Sequence, residues 1–219
     1  MKETLEKHET QTSRGSARRR AMMDAAWELL LEKGFSGVTL NDVISRSGGS
    51  RTTLYDAFGG KDGLLAASME ERCTEFCAEL HISLESDLPP REALTEFGIR
   101  LSKKILTEEA IRFTQILFSE GHHFIPLVES FMHMGPDATR SRLTNYLKRQ
   151  RDLGNLVIDD PDHHAELFHS MIIGDWQKQV LKVVPPTLHS DAEIEKRVLR
   201  AVDVFLCGVA SQNYRNTTD

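Results

Sequence analysis

The sequence predicts an all-α protein, on three observations. No segment alternates apolar and polar residues for long enough to build a sheet, whereas apolar side chains recur at spacings of three and four. Capping signals punctuate the chain. Thr39, Ser50, Thr107, Asp160 and Ser190 stand where helices would start, and Gly34, Gly48 and Gly154 where they would stop. At 219 residues and 40% hydrophobic, the chain is long enough for one or two ordinary cores.

Taken in order, residues 1–13 are polar and lack apolar periodicity, which reads as a flexible tail. A helix is expected from about Ser16 to Lys33, with Met22, Ala25, Ala26, Leu29 and Leu30 on its apolar face and Gly34 as its stop. Two short helices then flank a glycine turn. In the first, Thr39 is the N-cap with Asp42 three residues on, an acidic variant of the capping box, and Leu40, Val43 and Ile44 form the apolar face. Gly48-Gly49 turns the chain. In the second, Ser50 is the N-cap and Leu54, Ala57 and Phe58 face inward, which leaves Ser50, Arg51, Thr52, Thr53 and Tyr55 outward. A short exposed helix with polar residues at its N-terminal end is what a helix-turn-helix lays in the major groove of DNA.

Beyond Lys61 a long helix is expected to about Leu84, through Leu64, Leu65, Met69, Phe76 and Leu80, and Ser86 to Pro90 breaks it. Helices follow from about Pro90 to Leu106 and, capped by Thr107, to Glu120. After an interruption from Gly121 to Pro126, a short segment Ile125 to Met134 should end at Gly135-Pro136, and a helix should span Pro136 to Leu153. Asp160 as N-cap with Pro161 at the first helical position starts a helix expected to reach Val183 before Pro185-Pro186. Ser190 and Glu193 form a capping box for the last, whose apolar stripe is Ile194, Val198, Ala201, Val202, Phe205 and Val209.

The net charge of −6 is unevenly divided. Residues 14–61 carry eight Lys or Arg against five Asp or Glu, a net of +3, and the rest of the chain carries −9. The basic charge therefore sits with the helix-turn-helix. Arg14 and Arg18-Arg19-Arg20 lie at the expected start of the first helix, where cations oppose the helix dipole. Phosphate contact is the preferred reading of that cluster and a solvated helix start the other. Three cysteines without zinc-finger spacing, no signal peptide and no membrane-length apolar run point to a reducing cytoplasm and to no membrane partner.

The run from Ser47 to Leu64, SGGSRTTLYDAFGGKDGL, is similar to the recognition-helix signature of the TetR family of transcriptional regulators, with Gly48, Ser50, Thr53, Leu54, Tyr55, Phe58, Lys61 and Leu64 at matching positions. Glu32-Lys33-Gly34-Phe35 and Val38-Thr39 match upstream. Gly49 departs from the family's small apolar residue, which removes a packing contact in the turn. Residues 112–210 resemble the AefR-like C-terminal domain of that family in the Arg112 to Glu120 helix, Pro126, Gly135-Pro136, Gly154-Asn155-Leu156, Asp160-Pro161, and Val202 to Leu206 with Gly208.

The resemblance implies a three-helix helix-turn-helix domain over residues 14–61 with its motif at 39–58, and a connecting helix at 62–84. A larger ligand-binding and dimerisation domain would span 85–214, the helices at 161–183 and 190–212 pairing with a partner's. It also implies a homodimeric repressor on a palindromic double-stranded operator, released by a small-molecule effector that the sequence does not identify. Arg51 or Thr52 would read base edges, Thr39, Tyr55 and Lys61 would hold phosphates, and Ser50 and Thr53 complete the DNA-facing set. Expected walls of an effector pocket are Phe97, Leu101, Phe113, Ile116, Leu117, Phe131, Phe168, Met171 and Trp176, with Glu120 and His123 as polar groups. The same side chains at helical spacing also read as plain core.

Other constellations carry less. Cys73, Cys77 and His81, at i, i+4 and i+8, would line one helix face as a thiol or metal sensor, against ordinary packing of small cysteines. The pairs His122-His123 and His163-His164, with His169 nearby, point about 100° apart on a helix and chelate poorly. No phosphate-cradling loop, nucleophile elbow or HExxH pattern is present, so neither an enzyme nor a cofactor is expected. The rival to DNA binding is a helical protein-interaction module, favoured by Gly49 and the acidic total.

Overall fold

A computed structural model describes the backbone of residues 2–174 and 190–209, and the side chains among them from Gly15 onward. Trp176 and the expected stop at Pro185-Pro186 lie outside the described residues. Among the described residues every regular element is a helix: α1 Lys2–Gly37, α2 Leu40–Ser47, α3 Arg51–Phe58, α4 Lys61–Ala78, α5 Ile82–Glu85, α6 Pro90–Ile105, α7 Glu108–Glu120, α8 Ile125–Met132, α9 Ala138–Asp152, α10 Pro161–Ile173 and α11 Asp191–Val209. A 3₁₀ turn occupies Gly121–His123 and a π turn His133–Asp137.

The local signals hold. The Thr39, Ser50, Thr107 and Asp160 side chains accept from the backbone N–H groups of Asp42, Thr53, Ala110 and His163 at 3.1–3.2 Å. Ser190 and Glu193 cap each other reciprocally. Gly34, Gly48 and Gly154, the expected stops, have φ between 71° and 77°. At these points the backbone leaves the helical region as the sequence directs.

Four expectations are corrected. Helix α1 reaches back to Lys2, so residues 2–13 are helical; Lys and Glu, good helix formers, supply five of these residues. Helix α4 ends at Ala78 rather than Leu84. Leu80, His81, Ser83 and Leu84 are all buried, a wider face than the apolar stripe of one surface helix covers, and a turn before α5 achieves it. Gly135-Pro136 does not end a helix. The wider π turn takes in a residue that has no N–H to give and whose ring would crowd an α-helical carbonyl, so helical geometry continues from α8 into α9. Helix α10 stops at Ile173, where Gly174 turns to φ 52°.

The chain divides into two compact units, residues 1–73 with 116–131 and residues 74–115 with 132–219. The division falls later than position 61 and places residues 116–131 with the N-terminal unit. In that unit Met22, Ala26, Leu29, Leu30, Phe35, Val43, Leu54, Leu64 and Leu65 are at most 1% exposed. The Ser68 hydroxyl lies 3.0 Å from the carbonyls of Met23 and Leu64, and Arg72 donates to Asp24 at 2.7 Å while lying over the Trp27 ring. These contacts seat α4 on α1. At Gly49 the space a Cβ would fill is taken by the Met22 methyl group, so the missing side chain in the turn leaves no hole.

In the second unit α6 packs on α11 and α9 on α10, with α10 also against α6 and α11. Phe168 sits between Phe97 and Phe205 at ring-centroid distances of 6.4 and 4.9 Å. Gly98 lets α6 approach closely, because a Cβ there would press on Val198 and Ile172. The whole stripe from Ile194 to Val209 is buried in this core. It is therefore spent within the subunit, and what α10 and α11 leave outward includes Leu167 and Val204, 46% and 65% exposed.

Candidate nucleic-acid interface

Helix α3 of the first unit presents a polar N-terminal end. On α3, Arg51, Thr52 and Tyr55 are exposed, whereas Leu54 is fully buried and anchors the helix from behind. The Ser50 hydroxyl caps the helix and lies 2.8 Å from Thr53 Oγ1, so these two hydroxyls chiefly hold the first turn. Thr39 does the same for α2. The Tyr55 ring packs over Gly60, where a Cβ would stand 3.6 Å from Cε1, and half of the residue remains exposed. Lys61 opens α4 and is half-buried.

Most of the basic residues that surround α3 are engaged inside the unit. Arg46 makes a fork onto Glu32 at 2.7 and 2.9 Å and reaches Glu28 at 3.5 Å. The fork holds the Glu32 carboxyl below its usual pKa range and pushes the guanidinium of Arg46 up. Lys33 donates to Asp42 at 2.9 Å, and that bond holds the Asp42 carboxyl low in turn. Exposed pairs of this kind contribute little stability; their effect is to fix α2 against α1.

Two arginines of the cluster, Arg19 and Arg20, have partners inside the unit. Arg19 Nη1 donates to the Ala57 carbonyl at 2.9 Å and its guanidinium lies 4.5 Å over the Phe58 ring. A cation at the C-terminal end of α3 complements the helix dipole and a ring face. Arg20 lies 3.6 Å from Glu71. Because α1 starts at Lys2, this cluster is mid-helix and the dipole penalty that favoured phosphate contact does not arise. Arg18 is exposed. Sequence reasoning missed Asn41, whose Oδ1 accepts from Arg51 Nη2 at 2.8 Å. Its only signal was a polar amide two residues after the Thr39 cap.

Residues 22–68 match the bacterial regulatory proteins of the tetR family, and residues 92–208, more than half of the chain, match the C-terminal domain of AefR-like transcriptional repressors. The chain belongs to the TetR family. It is 26% identical over 153 residues to the helix-turn-helix regulator YvkB of Bacillus subtilis, covering 70% of this chain and 78% of that one. Among solved structures it is similar to the flavonoid-responsive regulator FrrA, with a TM-score of 0.76, 27% identity and coverage of 89% and 98%. A TetR regulator from Agrobacterium tumefaciens shares the fold, with a TM-score of 0.72, 20% identity and coverage of 91% and 97%. This TetR-family protein is thus a DNA-binding helix-turn-helix regulator of transcription.

The side chains expected to wall an effector pocket fall into two groups. Phe97, Leu101 and Phe168 are buried in the core of the second unit with Met171 packed against them, and Phe113 is buried in the same unit. Ile116, Leu117, Glu120, His123 and Phe131 belong to the first unit. Glu120 has partners there: Oε2 accepts from the Ser36 N–H at 2.9 Å, and Oε1 occupies the space beside Gly34 that a Cβ would need. Phe124 stacks on Phe35 at 5.0 Å beside this contact. His123 is exposed, its ring tilted by 43° against that of His122 with the centroids 3.8 Å apart.

The Cys73, Cys77 and His81 row is broken, because α4 ends before His81. Cys77 Sγ lies 3.9 Å from the Met134 carbonyl and 3.9 Å from Thr139 Oγ1. Among the described residues no group of three His, Cys, Asp or Glu side chains is disposed to hold a metal ion. Nor is any helix among them long and apolar enough to cross a membrane.

Proposed function

We propose that the protein is a ligand-responsive repressor that binds a palindromic operator as a homodimer, each subunit laying α3 in one major groove. The observation that carries this reading is the presentation of α3. Its exposed N-terminal face of Arg51, Thr52 and Tyr55 is capped by Ser50, backed by Leu54 and braced at its far end by Arg19. In this reading Arg51 or Thr52 reads base edges, Arg51 favouring guanine N7 and O6. Thr39, Tyr55 and Lys61 hold phosphates and set the register, with Ser50 and Thr53 shaping the helix end between them.

The test is fluorescence anisotropy on a duplex selected by the protein from random sequence. Arg51→Ala is expected to lose about 1–3 kcal/mol of discrimination at one base pair of each half-site. Lys61→Ala should weaken all duplexes alike and reduce the slope of log affinity against log salt by about one. A protein that selects no sequence refutes the operator reading and leaves an interaction module in its place.

Dimerisation is assigned to the outward faces of α10 and α11, where Leu167 and Val204 stand exposed on neighbouring helices. Val204→Glu would place a charge in that contact. It should shift the protein to monomer in sedimentation and lower operator affinity, since two linked half-sites are bound far more tightly than one. An unchanged sedimentation coefficient would move the interface elsewhere. The small-molecule effector is supported by the similarity to a regulator described as flavonoid-responsive. Its chemical class is a matter for ligand screening by thermal shift.

A further inference from the structure

We infer that Asn41 is a positioning residue for DNA reading: it holds the Arg51 guanidinium in its docking orientation before DNA arrives. The inference rests on the reading in which Arg51 contacts base edges. Asn41 is the second residue of α2, and Thr39 already supplies the cap to that helix end by accepting from the Asp42 N–H. The Asn41 amide is therefore not needed for α2 itself. Its Oδ1 accepts from Arg51 Nη2 at 2.8 Å, and both side chains are exposed.

The chemistry of the two groups makes the contact useful rather than incidental. Arg51 is the first residue of α3 and carries a long, flexible stem whose freedom is lost when the guanidinium is fixed on a base edge. A guanidinium has five N–H donors in a rigid fork, and one bond to Asn41 leaves four for a guanine edge and a phosphate. An amide oxygen is a neutral acceptor, so it orients the fork without the competition that a carboxylate would offer to phosphates. By contrast, Arg46, a few residues away, is committed to two carboxylates, Glu32 and Glu28. Of these two arginines, the one on the recognition helix is the one held by an uncharged partner.

The experiment starts from the duplex that the wild-type protein selects from random sequence; failure to select any duplex would refute the operator reading and not this one. On that duplex, affinity is measured with guanine and with 7-deazaguanine at the position where Arg51→Ala loses discrimination. Asn41→Ala is expected to reduce the discrimination there by about two- to tenfold, the cost of ordering one long side chain. It should leave the salt slope and the melting temperature unchanged. In an Arg51→Ala background, Asn41→Ala should have no further effect. Three results would overturn the inference: full discrimination in Asn41→Ala, a loss at a different base pair that persists without Arg51, or a uniform loss accompanied by a lower melting temperature. The second would make Asn41 a base contact in its own right, and the third a structural residue.

Discussion

Gly34→Ala is expected to destabilise the protein by about 2–4 kcal/mol in chemical denaturation, an effect large enough to lower the population of DNA-competent molecules at physiological temperature. Two causes add. Gly34 has φ 74° and ψ 176°, a combination that only glycine adopts at low cost and that strains any other residue by about 1–3 kcal/mol. The new Cβ would also collide with the Glu120 carboxylate, whose Oε2 accepts from the Ser36 N–H. The carboxylate sits at the end of a flexible stem, so it can swing away, and the loss is then that hydrogen bond, about 1 kcal/mol for an exposed contact.

A double-mutant cycle separates the causes. Glu120→Ala alone should cost about 1 kcal/mol, and the Gly34→Ala/Glu120→Ala protein should be no less stable than Gly34→Ala. The backbone term survives in the double variant. A Gly34→Ala protein within 0.5 kcal/mol of wild type would show that the backbone at this position relaxes freely.

Acid is expected to destabilise the second unit through His81. The residue is 2% exposed, and among the described residues neither ring nitrogen makes a well-formed hydrogen bond. Burial, with the Arg142 charge adding to it and Glu85 opposing, pushes its pKa down to about 4. The unfolded chain takes up a proton near pH 6.5, and the folded chain does not until about pH 4. Stability from this group is therefore complete above pH 6.5 and lost progressively as the pH falls to 4, up to about 3 kcal/mol. His169 is shifted in the same direction, by burial first and by Arg140 second, and adds to the slope.

Urea titrations at pH 7 and pH 4.5 check this. In His81→Leu the loss between the two pH values should shrink by about 2–3 kcal/mol, whatever the variant's stability at pH 7. An equal loss in both proteins would mean that His81 protonates in place and that the ring is less enclosed than its surroundings indicate.

The features legible in the sequence were those whose physics is local. A cap is a bond between residues three apart, and a positive φ belongs to one glycine, so Thr39, Ser50, Thr107, Asp160, Gly48 and Gly154 act as the sequence predicts. Apolar spacing likewise showed the inward faces of α1, α6 and α11. The family and the bounds of α3 followed from the same short run, since the residues that shape α3 are its own.

What the sequence could not show depends on distant partners. Arg19 reads as a phosphate contact until the carbonyl of Ala57, 38 residues away, is placed beside it. Glu120 reads as a pocket group until Ser36, 84 residues away, donates to it. The ends of α4 and α8 were missed because burial of His81 and the widened turn at Pro136 answer to packing rather than to propensity. The sequence by itself determined that this is an all-α TetR-family regulator and where α2 and α3 begin, because helices close their bonds within a few residues. Only the tertiary structure decided which side chains around α3 remain exposed and unengaged, because the partners of Arg19, Lys33, Arg46 and Arg51 each lie on another helix.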